Sequence, residues 1–127
     1  PGVAGRSGGL LMKPLVHAKL SVKKYGGDVT DYMPVHNFLD SSKAHVPDMR
    51  HRALFHNSFG IYLAEMTVGD FFENSEGKLV STRDIAEEHV LQDMNRIPTV
   101  QDYLDGMPIY DWLGGRPLKT TTIFMAD

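Results

Sequence analysis

PDMRHRALFHNSFGIYLAEMTVG (residues 47–69) is the stretch on which the predicted fold depends. A proline at the first helical position and a glycine just after the last one are common helix boundaries, so the stretch predicts a helix from Pro47 to Gly69. Its first half is rich in charged and histidine residues and its second half is mostly apolar. We therefore predict a central helix with one end at a polar site and the other in the core. Gly60 costs about 1 kcal/mol relative to alanine within a helix, and we interpret it as a close helix crossing.

Shorter elements are predicted on both sides of this helix. Proline in the first turn, glycine after the last turn and apolar residues at helical spacing are the signals used. The predicted elements are a helix over Pro14–Tyr25, a turn over Asp28–Asp31, a helix from Pro34 to His45, a hairpin over Phe71–Val80, a helix over about Arg83–Met94 and a short helix from Thr99 to Leu104. The predicted fold class is mainly α, a compact bundle of four to five helices with a small β-hairpin.

The chain is predicted to contain one domain. Residues 1–11 are rich in glycine and precede Met12, so we interpret them as a leader or a cloning remnant. Residues 12–113 form the predicted helical domain. Residues 114–127 form a C-terminal tail with an apolar end, which is expected to wrap the same subunit or to reach another one. A protein partner or a homo-oligomer is therefore expected.

Composition excludes several classes of protein. The 127 residues carry a net charge of −3, which does not resemble the basic surface of a nucleic-acid-binding protein. No apolar run approaches the roughly 20 residues that span a bilayer. The chain has no cysteine, which excludes thiolate metal sites and a cysteine nucleophile and is compatible with a reducing compartment. The prediction is a soluble protein, cytoplasmic or organellar, without nucleic-acid or membrane partners.

Histidine and acidic residues recur at helical spacing. Three pairs lie four residues apart, and each pair therefore lies on one face of its helix: His36/Asp40, Arg52/His56 and His89/Asp93. Facing pairs of this kind can build a site for a divalent metal such as Zn, Fe, Mn or Ni. The predicted metal ligands are His36, Asp40, His51, His56, His89 and Asp93. His51 and His56 would lie about 140° apart around one continuous helix, which disfavours their binding one ion together.

The same cluster supports a catalytic interpretation. Histidine suits general acid–base chemistry near neutral pH, since its ordinary pKa is about 6.5. The predicted catalytic residues are His56, His89 and Asp48, and Arg50 and Arg52 would bind a small anionic ligand. The function predicted from the residues is a metal- or anion-binding domain, with a small hydrolase or lyase as one form of it.

The residues leave bland alternatives open. His36/Asp40 and His89/Asp93 are also compatible with surface pairs worth about 0.3–0.5 kcal/mol each. Arg50 and Arg52 are compatible with simple ion pairs to nearby acids. The alternative function is a non-catalytic assembly or accessory subunit, in which a His/Arg/Asp network is structural.

Three segments carry a resemblance to a known family. HAKLSVKKYGG, DYMPVHNFLDSSKAHVPDMRHRALFHNSFGIY and IAEEHVLQDMNRIPT resemble a family of short, uncharacterised bacterial and phage proteins with the motifs HAxxSxxKxGG, DYxPxHxWFDxSK and DxRHRAxxHxxxGI. The resemblance runs from about His17 to Thr99 and places every predicted site residue from His36 to His89 inside it. It implies no activity. RHRALFHNS is also similar to the first histidine segment of HD-type metal phosphohydrolases, although their His-Asp dipeptide is absent here.

Overall fold

The structure is a computed structural model, which describes residues 13–116. The predicted leader (residues 1–11) lies outside the described residues, as does the predicted tail beyond residue 116. The described chain forms α1 (Pro14–Tyr25), α2 (Val29–Asp40), α3 (Arg52–Phe55), α4 (Ser58–Val68), β1 (Phe71–Glu73), β2 (Leu79–Ser81), α5 (Thr82–Met94) and α6 (Val100–Leu104), with 3₁₀ turns at Ser41–Ala44, Met49–His51 and Asp111–Gly114.

The helices pack around one core, in which α2 is central. Helix α1 lies along α2, α2 packs on α4 and α5, and α4 packs on α5. The buried apolar residues that join them are Ala18, Tyr32, Val35, Leu39, Ile61, Ala64, Val80, Ile85, Ala86 and Val90. The predicted mainly helical class with a small hairpin is therefore confirmed. No helix within residues 13–116 is long and apolar enough to cross a membrane.

Helix α1 has the predicted bounds, but α2 begins earlier than predicted. The predicted turn over Asp28–Asp31 is wrong: the Asp28 and Asp31 side chains form a reciprocal capping box that starts the helix at Val29. Pro34 therefore lies inside α2 instead of opening it. Its missing N–H leaves only the carbonyl of Thr30, in the first turn, without its usual helical partner. The continuation to His45 is a tighter 3₁₀ turn rather than α-helix.

The predicted continuous helix from Pro47 to Gly69 is wrong, because the chain breaks at His56 and Asn57. His56 has ψ 63°, outside the helical range. The Asn57 side chain accepts a hydrogen bond from the backbone N–H of Gly60 (2.8 Å) and so caps the start of α4. Its amide group donates to the carbonyl of Ala53 (3.0 Å) and completes the end of α3. One asparagine thus closes two short helices at a corner.

Gly60 permits this corner. A side chain at Gly60 would collide with the backbone carbonyl of Phe55, one turn earlier in the chain. The predicted helix crossing at Gly60 is therefore replaced by a close approach between the two sides of the corner. Gly69, with φ 107°, ends α4 as predicted.

The C-terminal half follows the sequence signals closely. Strands β1 and β2 pair antiparallel, with Phe71 opposite Ser81. The Ser81 side chain caps α5, and the Thr99 side chain caps α6. The hairpin leads directly into α5, which carries two of the predicted site residues into the core.

Candidate metal centre

Four acidic and histidine side chains from three parts of the chain meet in the interior. Asp40 is the last residue of α2, and His56 lies at the corner between α3 and α4. His89 and Asp93 lie one turn apart on α5. His56 has a non-helical backbone conformation at this corner, and its ring contacts Asp93 of α5. All four side chains are at least 95% buried.

The donor atoms of these four residues are spaced as around a single ion. His56 Nε2 lies 2.9 Å from Asp93 Oδ2 and 3.5 Å from Asp40 Oδ1. His89 Nε2 lies 3.2 Å from Asp40 Oδ1 and 3.4 Å from Asp93 Oδ2. One ligand atom from each residue lies within 4.8 Å of all the others. Bonds of about 2.0–2.1 Å give a tetrahedron with edges of about 3.3–3.4 Å, close to the four distances.

The charges of the four groups suit a divalent cation. Burial by itself raises the pKa of Asp93, but contacts with the side chains of His17 and His56 lower it more, so its pKa lies well below the ordinary value. Burial also opposes ionisation of Asp40, and the hydrogen bond with His89 again lowers the pKa overall. Burial lowers the pKa of His89 to about 4, although its bond to Asp40 acts in the opposite direction. Asp40 and Asp93 are therefore ionised and His89 is neutral, and carboxylates and neutral imidazoles are the forms that bind metal.

The outer carboxylate oxygens lie near basic or histidine side chains but make no hydrogen bond among the described residues. Asp40 Oδ2 lies 3.8 Å from the ammonium group of Lys43. Asp93 Oδ1 lies 3.2 Å from His17 Nε2 and 3.7 Å from the guanidinium group of Arg52. The inner oxygen of each carboxylate is thereby left to face the two histidine nitrogens. Such contacts orient carboxylate ligands in metal sites.

His17 and His36 are buried against His89. The His17 ring stacks on that of His89 with centroids 3.7 Å apart, and His17 Nδ1 contacts the side-chain oxygen of Gln92 (2.7 Å). His36 Nδ1 lies 2.9 Å from His89 Nδ1. Burial is the largest cause that lowers the pKa of His36 to about 2, and the charge of the neighbouring His89 is the second largest. His36 contacts Nδ1 of His89, whereas the Nε2 atom of His89 faces Asp40 and Asp93. His36 therefore lies behind the centre and not in it.

His51 contacts a different member of the group and lies edge-on to the His56 ring, with centroids 5.4 Å apart. The Ser42 hydroxyl donates to the backbone carbonyl of His51 (3.1 Å) and lies 2.9 Å from His51 Nδ1. Burial lowers the pKa of His51. His51 therefore supports the His56 side of the centre without entering the group of four donors.

The predicted site residues divide into those brought together and those left outside. Asp40, His56, His89 and Asp93 form the group of donors, and His36 and His51 flank it. Arg52 lies against Asp93, as an ion-pair partner of a donor. Asp48 and Arg50 pair with each other on the surface, 2.7 Å apart, with the Arg50 side chain 84% exposed. The structure does not bring Asp48 or Arg50 to the centre.

Sequence reasoning also missed how the donors pair. The predicted pairs were local, at i,i+4, but Asp40 contacts His56 and His89 rather than His36. Ser21, Lys43 and Gln92 were not predicted as site residues. Ser21 and His17 lie four apart in α1 within the HAxxS segment, and this spacing was the available signal.

One family comparison gives a match. A family described as a domain of unknown function (DUF6915) matches residues 12–113, which agrees with the predicted resemblance to an uncharacterised family. No curated protein and no solved structure matches the chain significantly. The four donors all lie inside the matched range.

Proposed function

The chain belongs to the DUF6915 family of domains of unknown function, and we propose that it is a metal-binding domain whose buried centre takes one divalent transition-metal ion. The ligands are Asp40 Oδ1, His56 Nε2, His89 Nε2 and Asp93 Oδ2. The observation that carries the proposal is the spacing of these four atoms, with four contacts of 2.9–3.5 Å between imidazole nitrogens and carboxylate oxygens.

The donor set favours Zn²⁺ among the divalent ions. Two imidazoles and two carboxylates suit Zn, Fe, Mn or Ni better than Mg or Ca, which prefer oxygen ligands alone. Four protein donors at tetrahedral spacing are typical of Zn²⁺ sites that are structural, because a catalytic site keeps one position for water or substrate. The two carboxylates also balance the charge of a divalent ion in a buried position.

The proposed role of the ion is to hold three elements together. Asp40 ends α2, His56 lies at the α3–α4 corner, and His89 and Asp93 belong to α5. An ion that bonds all of them cross-links segments up to 53 residues apart, counted from Asp40 to Asp93. Because such a site is not formed in the unfolded chain, the free energy of metal binding adds to the stability of the fold.

The contacts of Lys43 and Arg52 favour a second candidate. These two cations already face Asp40 and Asp93, at 3.8 and 3.7 Å, and balance their charges without a metal. Under this alternative, the cluster is a structural ion-pair network of an assembly or accessory subunit. The two candidates differ in what happens when metal is removed and when it is added.

The test is a Zn²⁺ titration of untagged, chelator-treated protein by calorimetry, with elemental analysis of the loaded product. We expect one ion per chain and a higher unfolding midpoint. The free energy of unfolding should rise by about 4 kcal/mol when the free metal concentration is 1,000 times Kd. Asp93→Asn should abolish this binding, whereas Asp70→Asn, which changes an exposed carboxylate, should retain it. Absence of stoichiometric binding in the unsubstituted protein would favour the ion-pair network instead.

A further inference from the structure

A chain of three buried side chains runs from α1 to the proposed metal ligand His89. The Ser21 hydroxyl lies 2.9 Å from His36 Nε2, and His36 Nδ1 lies 2.9 Å from His89 Nδ1. The third link joins His89 Nε2 to Asp40 Oδ1, at 3.2 Å. The exposed fractions of Ser21, His36 and His89 are 4%, 1% and 0%. Water therefore has little access to any of these contacts, and the protons in them are those of the side chains.

Proton counting couples the contacts to one another. A neutral imidazole carries one ring proton, so His36 and His89 can each donate from only one nitrogen. The contact between their two Nδ1 atoms holds one proton, which belongs to one ring or to the other. Ser21 likewise has one hydroxyl proton and two acceptors within reach, His36 Nε2 and the backbone carbonyl of His17 (3.1 Å). The direction of any one hydrogen bond therefore fixes the others.

We propose that metal binding at His89 reverses the direction of this hydrogen-bond chain, and that His36 and Ser21 are positioning residues that hold His89 in its metal-binding tautomer. The inference rests on the proposed function. Without metal, His89 Nε2 faces the carboxylate oxygens of Asp40 and Asp93 and needs a proton there, since a bare nitrogen would face two anions. His89 Nδ1 is then bare and accepts from His36 Nδ1. His36 Nε2 in turn accepts from the Ser21 hydroxyl.

With a metal ion on His89 Nε2, every bond in the chain points the other way. The ring proton of His89 is on Nδ1 and is donated to His36 Nδ1. The ring proton of His36 is on Nε2 and is donated to the Ser21 oxygen. The Ser21 hydroxyl turns to the carbonyl of His17. Both arrangements place three protons on Ser21, His36 and His89: the proton displaced from His89 Nε2 is released to solvent, and Ser21 takes up one proton from solvent after passing its own to His36.

The other proposed histidine ligand, His56, has no such hydrogen-bond chain. His56 Nδ1 is buried and has no hydrogen-bond partner among the described residues. Nothing holds a proton on that nitrogen, whereas His89 has an acceptor for one at 2.9 Å. Metal-bound histidines usually donate their second N–H to such an acceptor, and removing it typically lowers metal affinity about 10–100-fold. We therefore expect metal affinity to depend on the residues that support His89, namely His36 and Ser21.

The decisive measurement is the tautomer of His36 and His89 in the full chain. Long-range ¹H–¹⁵N correlation spectra distinguish protonated from bare ring nitrogens in histidine. We expect His36 to carry its proton on Nδ1 in metal-free protein and on Nε2 in protein loaded with Zn²⁺, with His89 changing from Nε2 to Nδ1. An unchanged His36 tautomer in protein shown to hold one Zn²⁺ would overturn the inference while leaving the metal site intact. Failure of Zn²⁺ to bind would instead overturn the proposed function and the inference with it.

Two substitutions at His36 separate positioning from packing. His36→Phe keeps a ring of similar size but removes the acceptor, and we expect it to weaken Zn²⁺ binding about 10–100-fold. His36→Asn leaves a small cavity but places a carbonyl oxygen near the Nδ1 position, so we expect it to retain more affinity than His36→Phe. A purely structural role predicts the opposite order. His45→Gln, at an exposed histidine, is the matched control and should leave affinity unchanged.

Discussion

At the scale of single residues, Gly60 and Gly106 provide a matched test of the α3–α4 corner. A methyl group at Gly60 would collide with the backbone carbonyl of Phe55, which cannot move without opening the corner. A methyl group at Gly106 would lie 3.9 Å from the carbonyl of Tyr103, an ordinary contact. We expect Gly60→Ala to destabilise the protein by about 1–3 kcal/mol, and Gly106→Ala to change its stability by no more than about 1 kcal/mol, in the stabilising direction. Urea unfolding of both variants checks this, and equal effects would contradict the assigned role of Gly60.

The sequence indicates the residue types of the site better than their partners. Helical spacing brings His89 and Asp93 to one face, and their donor atoms are 3.4 Å apart as that spacing suggests. The spacing of His36 and Asp40 is equally clear, yet Asp40 contacts the histidines of other elements. An i,i+4 relation describes one helix only. The partner of Asp40 depends on how α2 crosses α5, which no local pattern encodes.

At the scale of secondary-structure elements, two N-cap side chains are expected to differ in their contribution to stability. Asn57 is fully buried and serves both α3 and α4, with bonds to the Ala53 carbonyl and the Gly60 N–H. Ser81 makes one longer bond, 3.2 Å, to the N–H of Asp84. We expect Asn57→Ala to cost about 2 kcal/mol and Ser81→Ala about 0.5–1 kcal/mol. Chemical denaturation monitored by circular dichroism measures both, and a larger loss for Ser81→Ala would contradict this account of the corner.

Elements with strong local signals were predicted well, and those with competing signals were not. Pro14 and Gly26 bound α1 on both sides, and the turn of the hairpin lies between two apolar runs, so both were predicted correctly. The helix predicted from Pro47 failed because the capping signal of Asn57 lies between Leu54 and Ile61, apolar residues whose spacing continues the pattern of one helix across it. Capping propensity and hydrophobic periodicity then point to different structures. The contact of Gly60 with Phe55, which decides between them, exists only in the folded chain.

At the scale of the whole molecule, the centre depends on the meeting of three elements. The sequence predicts most of the residues that form and flank it, since the predicted ligands are His36, Asp40, His51, His56, His89 and Asp93. Which of them point inward was not visible, because that depends on the corner at His56 and on the packing of α2 against α5. His36 looked like a ligand for the same reason, yet it lies behind His89. Long-range packing therefore decides which of these residues belong to the group of four and which lie beside it.

The buried histidines should make the metal-free protein labile to acid. Burial lowers the pKa of His89 to about 4 and that of His36 to about 2, whereas the unfolded chain takes up protons near the ordinary value of 6.5. The unfolded state therefore binds more protons below about pH 6.5, and stability falls as the pH is lowered from there through about pH 4. The lowered pKa values of Asp40 and Asp93 act in the same direction below the ordinary aspartate value of 3.8.

Urea midpoints of chelator-treated protein between about pH 7 and about pH 4.5 measure this dependence. We expect a continuous fall in the free energy of unfolding over that range, and a smaller fall for His36→Phe, which removes one of the three rings, His36, His51 and His89, whose pKa burial lowers. His45→Gln should retain the full dependence, because His45 is exposed. A free energy of unfolding that stays level or rises as the pH falls would mean that His36 and His89 are already charged in the folded protein. In that case the cluster would hold its carboxylates by imidazolium ion pairs, and no bare nitrogen would be available for a metal.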